Sequence, residues 1–241
     1  MITRFIKYSV ISVFLVILAQ LFLPTSVFAA DPQFMVSWNA SSFAPQWYQG
    51  KILPSKGSRV NISFELIGQD KTNLGKVLDL SNRLVKWYVN NQYYDQGQGL
   101  KSISFPINKW IASDNLSVRI SSEVENPSDG SVSFVDNYIT IPIVNPEVVI
   151  FNKNFSNIIN ANSMISLSSA PFFFNANLLY DIVPTWTVEN KKFGGIANDP
   201  FSLSVNFGKN INSGIVDIGL TAQNANNPIE SAQSSISFTI Q

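Results

Sequence analysis

The chain alternates between apolar and polar residues along most of its length. Val60, Ile62, Phe64 and Leu66 are separated by Asn61, Ser63 and Glu65. The same period returns in Val85, Trp87 and Val89, in Leu116, Val118 and Ile120, and in Ile139, Ile141 and Ile143, with Ile103 and Phe105 as a shorter case. Successive side chains of a strand point to opposite faces, so each segment has one apolar and one wet face and must bury the first against a second sheet. Beyond residue 146 the pattern resumes. Ile165 and Leu167, Trp186 and Val188, Phe201 to Leu203, Val205 to Phe207, Val216 to Leu220, and Ile236, Phe238 and Ile240 carry it. Turn signals fall between these runs: QGQG at 96–99, PSDG at 127–130, Gly-Gly at 194–195, and Asn-Pro at 126, 145 and 227. No long stretch beyond residue 31 has a clear helical period.

One phrase occurs twice. LVKWYVNN at 84–91 is echoed by VPTWTVEN at 183–190, which puts Trp186 99 residues after Trp87. Other landmarks keep nearly that offset: Ile141 and Ile240 differ by 99, Leu116 and Ile215 by 99, Asn126-Pro127 and Asn227-Pro228 by 101. Two units therefore share one plan, residues 31–145 and 146–241, with the boundary at Asn145-Pro146. Six or seven strands in about 95 to 115 residues, with a Trp on the third, describe an immunoglobulin-like β-sandwich in which that Trp sits between the sheets. The fold expected is all-β, two tandem immunoglobulin-like sandwiches. Trp87, Val89, Trp186 and Val188 are assigned to their cores.

On these residues the tandem resembles the Ig-like and PKD-like repeats of bacterial exported and cell-surface proteins. The resemblance covers about residues 32 to 241. It implies a spacer, adhesive or assembly role in the cell envelope, and it brings no catalytic residues with it.

The first thirty residues follow another logic. Arg4 and Lys7 precede an apolar run from Tyr8 to Leu23, then Pro24 and the small-residue segment SVFAA, which is the order of a secretory signal peptide. Cleavage is expected after Ala29 or Ala30, giving an exported, extracellular or surface-located chain with 14 basic and 16 acidic residues. Retained, the segment is instead a membrane anchor. The sequence closes at FTIQ without an apolar tail, so attachment of the cleaved form is expected to come from a partner.

Composition narrows the chemistry. Cys and His are both absent, which excludes disulfides, thiolate metal sites, histidine-containing zinc sites and the usual histidine triads. Sixteen basic residues balance sixteen acidic ones with no basic run, so nucleic acid is not an expected partner. Asp95, Asp114, Asp129, Asp136 and Glu189 sit in separate turns, and no local pair marks a general acid and base. A single Asp in NPSDGS falls short of the oxygen ligands that Ca²⁺ takes. The reading is non-catalytic, without cofactor or metal.

Function is expected where aromatics leave the alternation. SSFAPQWYQGK at 41–51 sets Phe43, Trp47 and Tyr48 in a loop composition, and Tyr93, Tyr94 and Trp110 add to the aromatic content of the same unit. Such residues stack on sugars or anchor a protein partner; packed across the open end of the sandwich, they are structural instead. The partners expected are an envelope or surface protein or, in the alternative of a carbohydrate-binding module, a polysaccharide. APFFFNANLLY at 170–180 is the second departure. Phe172, Phe173 and Phe174 cannot all point to one face of a strand, so at least one must meet a neighbouring unit, a partner chain or a covering loop, unless the strand is bulged or buried on both faces.

Overall fold

A computed structural model describes residues 32–69, 73–108, 114–126, 129–152, 156–208 and 213–241. The signal-peptide segment and Trp110 lie outside the described residues.

The first sandwich is built from β1 (Gln33–Ala40), β2 (Arg59–Ile67), β3 (Leu84–Val89), β4 (Gln92–Gln98), β5 (Ser102–Pro106), β6 (Asn115–Glu125) and β7 (Val132–Pro142). Its sheets run β1-β2-β5 and β4-β3-β6-β7, all antiparallel. The second comprises β8 (Glu147–Asn152), β9 (Ile158–Ile159), β10 (Met164–Phe172), β11 (Ile182–Val188), β12 (Lys191–Phe193), β13 (Ser202–Asn206), β14 (Gly214–Asn224) and β15 (Asn227–Ile240). Its sheets run β13-β10-β8 and β12-β11-β14-β15-β9, with β9 added parallel to β15. Apart from β9 the two orders are identical. A three-stranded sheet facing a four-stranded one, with the chain changing sheets after its second, fourth and fifth strands, is the immunoglobulin-like arrangement.

The apolar faces meet as the alternation requires. Val60, Ile62, Phe64 and Leu66 of β2 are buried with Val85 and Trp87 of β3 and Leu116, Val118 and Ile120 of β6. Ile165, Leu167, Trp186, Ile218, Leu220 and Phe238 form the second core. Trp87 and Trp186 are fully buried, Val188 is buried, and Val89 is half-buried at the edge of its core. A buried indole needs an acceptor. Trp87 Nε1 donates to the Leu100 carbonyl at 2.8 Å and Trp186 Nε1 to the Pro200 carbonyl at 3.1 Å, each just before the strand that closes the opposite sheet.

The repeated phrase also carries a turn. Asn90 and Asn91 have φ of 49° and 63°, and Glu189 and Asn190 have 49° and 62°. Two consecutive left-handed residues make the tight hairpin whose twist matches its strands, and Asn tolerates that conformation. Asn90 is therefore the first turn residue, where the alternation places it on the wet face of β3. Its side chain accepts the Ser117 N–H at 3.0 Å, and Glu189 does the same for Asp217 at 2.8 Å.

Other local readings are corrected. Gln96 to Gln98 belong to edge strand β4, and only Gly99, at φ 64°, turns the chain. Asn227-Pro228 opens β15, and the pairing slips beside it, so the missing proline N–H costs no ladder bond. Ile215 is 70% exposed and is not the counterpart of Leu116. Trp87 pairs with Ile120 and Trp186 with Leu220, so the offset here is 100 and Val216 takes the inward position.

Trp87→Ala and Trp186→Ala are expected to cost about 3 to 5 kcal/mol each, read from urea unfolding midpoints. Asn90→Ala is expected to cost about 1 kcal/mol, with the slope of the transition unchanged.

Candidate functional site

The two aromatic segments of the sequence come together. Tyr48 packs edge-on to Phe172 and Phe173, with ring centroids 5.4 and 6.1 Å apart, and Trp47 meets Phe172 at 5.8 Å and Phe151 at 6.0 Å. Leu53 and Val144 complete this small core between the sandwiches. The backbone closes it as well: the Phe43 N–H donates to the Phe174 carbonyl at 2.7 Å, and the Phe173 N–H donates to the Phe43 carbonyl at 2.6 Å.

The triple phenylalanine is accommodated by a backbone change. Phe173 has φ of 61°, a left-handed conformation that costs a bulky residue about 1 to 3 kcal/mol. The chain thereby leaves β10, placing Phe172 and Phe173 in the junction and Phe174, fully buried, in the second core. All three are buried, so they do not form an open surface. The segment after them is clamped: Glu230 accepts the Asn175 N–H at 2.7 Å and the Asn224 side-chain amide at 2.6 Å, and that amide also donates to the Asn175 carbonyl. On the facing side Gly57, at φ 95°, lies so close that a Cβ there would stand 2.9 Å from the Asn175 amide.

Of the loop aromatics, Phe43 and Tyr48 are thus committed to the junction, while Trp47 remains 61% exposed. It stands at one rim of an open cleft of about 750 Å³ between the 41–52 loop and residues 169–180 and 199–201.

Tyr93 and Tyr94 take opposite sides of β4. Tyr94 lies against Phe105, with ring centroids 5.3 Å apart, and its hydroxyl reaches the Ser104 carbonyl. Tyr93 joins a row across the outer face of the four-stranded sheet. In register across β4, β3, β6 and β7 stand Tyr93, Tyr88, Arg119 and Tyr138. The Arg119 guanidinium sits 3.7 Å over the Tyr88 ring, and Lys86 covers Phe134 at 4.4 Å. Tyr93 and Tyr138 are more than half exposed. The corresponding row of the second sandwich is Lys192, Thr187, Gly219 and Ser235. Tyr88, Arg119 and Tyr138 escape a reading by alternation because they occupy its polar positions; their signal is that two aromatics stand where this chain often writes Ser and Asn.

Asp95 and Asp136 lie inside strands β4 and β7 and not in turns. Asp129 is held below the usual carboxylate range by the Ser131 hydroxyl and N–H, closing its own turn. Asp79 is lowered in the same way by Ser81, through its N–H first and its hydroxyl second. Among the described residues no group of three or more carboxylates comes together to hold a metal ion.

Comparison with models of known families and with curated proteins finds no match. Among solved structures the chain is similar to SGBP-B of the Bacteroides ovatus mixed-linkage glucan utilization locus in complex with a mixed-linkage heptasaccharide, at 12% identity and a TM-score of 0.23, over 88% of this chain and 47% of that one. It is also similar to the ICAM-5 D1-D4 ectodomain fragment, at 9% and 0.33 over 86% and 53%. A 1.5-MDa bacterial ice-binding adhesin follows at 12% and 0.30 over 88% and 66%. The chain spans less than two thirds of each. The immunoglobulin-like assignment rests on the strand order and the buried tryptophans.

Phe173→Ala is expected to leave the light-scattering mass equal to that of the parent and to speed proteolysis within 41–58, because the residue seals a junction inside one chain. A changed mass would point to a contact between chains instead.

Proposed function

We propose that this is a non-catalytic, exported module of the cell surface or envelope that acts in adhesion or assembly, with the outer face of its first sandwich as the protein-binding surface. The observation that carries the reading is the difference between two rows in one fold. Tyr93, Tyr88, Arg119 and Tyr138 occupy the positions that Lys192, Thr187, Gly219 and Ser235 fill in the second unit. The second unit folds without aromatic side chains there, so stability of the sandwich does not demand them. Tyr and Arg are enriched among the residues that dominate binding energy at protein interfaces, since Tyr buries much area with few torsions and keeps a polar tip, and Arg presents a planar fork of donors.

The stapled junction supports the same role. Paired backbone bonds and an aromatic core between the sandwiches hold the recognition face at a set angle to whatever follows it in an assembly. Export rests on the leader pattern of residues 1–30.

The test is capture from envelope extract by residues 31–241. A Tyr93→Ser, Arg119→Ser, Tyr138→Ser variant should lose at least about tenfold of the captured partner, with its thermal midpoint close to the parent's. Equal capture by a folded variant would move recognition elsewhere.

A further inference from the structure

The junction cleft is a second place where the chain presents aromatic side chains to solvent, and it belongs to neither sandwich alone. Trp47, from the first unit, is 61% exposed, Tyr180, from the second, is 77% exposed, and both line the cleft. The volume, about 750 Å³, falls within the range of ligand sites, about 300 to 1,000 Å³. Besides the two rings the lining offers hydroxyls and amides, among them Ser41, Gln46, Ser169 and Asn177, and, among the described residues, one carboxylate, Asp199, held by the Ser202 hydroxyl at 2.6 Å.

We propose that this cleft binds a neutral oligosaccharide, with Trp47 and Tyr180 as the two stacking platforms. The charge of the lining selects the class. Among the described residues no Lys or Arg lines the cleft, so a uronate, sulfated or phosphorylated ligand finds no counter-charge there and meets Asp199. A neutral sugar ring supplies an apolar C–H face for each aromatic and hydroxyls for the amides and carboxylate.

The walls are held in place before any ligand arrives. The Phe43 bonds to Phe173 and Phe174 fix the loop that carries Trp47, and Glu230 with Asn224 fixes the segment that leads to Tyr180. The site deepens the carbohydrate-binding alternative drawn from the loop aromatics, adding a second platform from the other unit, and it is separate from the sheet face proposed for protein binding.

The experiment is a calorimetric and tryptophan-fluorescence titration of residues 31–241 with hexasaccharides of a β-glucan, a mannan and a galactan, and of a polygalacturonate. The expected result is saturable binding of at least one neutral hexasaccharide and none of the polygalacturonate. Trp47→Ala and Tyr180→Ala should each weaken binding by about tenfold. Tyr180→Ala should unfold at the parent's temperature, and Trp47→Ala, which loses its edge contacts with Phe172 and Phe151, a little below it, so both variants remain folded under the titration conditions. The variant altered at Tyr93, Arg119 and Tyr138 should bind the sugar as the parent does, which keeps the two sites distinguishable. Absence of binding across the neutral panel, preference for the polygalacturonate, or unchanged affinity in both single variants would overturn the proposal.

Discussion

The indole of the third strand ties each sandwich together. Trp87 on β3 belongs to one sheet, and the Leu100 carbonyl it binds leads into β5 of the other; Trp186 and Pro200 repeat the link between β11 and β13. Burial of the ring supplies the hydrophobic part, and the bond removes the penalty of an unpaired N–H in a dry interior. The ring also fixes spacing, because Phe64 of β2 packs edge-on to Trp87 with centroids 5.6 Å apart. With the sheets held at that distance, the alternation along every other strand has a single consistent assignment of faces.

The junction follows a different rule. It spends backbone strain at Phe173 to place two rings between the sandwiches, and the surroundings hold that conformation through the paired Phe43 bonds and the Tyr48 ring. The loop at 41–58 is fixed within its own unit too: Ser55 donates its N–H to the Ser42 hydroxyl at 3.1 Å, and the Ser58 hydroxyl donates to the Ser55 carbonyl at 2.8 Å. This segment thus belongs to the first sandwich and splints the second.

Most of the sandwich could be read from the chain, because period two reports burial directly and the cores depend on little else. Val60 to Leu66 and Leu116 to Ile120 are such cases. The edge strand β4 could not, since Gln92 to Gln98 has no apolar stripe to report. Nor could β1, where Met35 is exposed on the face opposite Phe34 and Trp38 and blurs the alternation. Pattern says that a residue is buried and is silent on what buries it. Phe43, Tyr48 and Phe172 to Phe174 stood out as departures, while their mutual contact, more than 120 residues apart in sequence, left no local trace. Tyr180 lies in the run 170–180 yet is exposed by a short turn at Leu179–Asp181 that hydrophobic period does not encode.

The parallel strand β9 bears on how the second sandwich carries load. The Thr239 N–H donates to the Asn157 carbonyl at 2.8 Å, the Gln241 N–H to Ile159 at 3.0 Å, and the Ala161 N–H to Gln241 at 3.1 Å. Tension drawn out through the end of β15 pulls across these bonds and strains them together, whereas a hairpin opened from its tip yields one rung at a time. In the first sandwich the Val144 N–H bonds the Pro54 carbonyl at 2.9 Å, beside a parallel bridge between Ser55 and Val144. Each unit thus fastens its final segment by bonds that tension along the chain would load in shear.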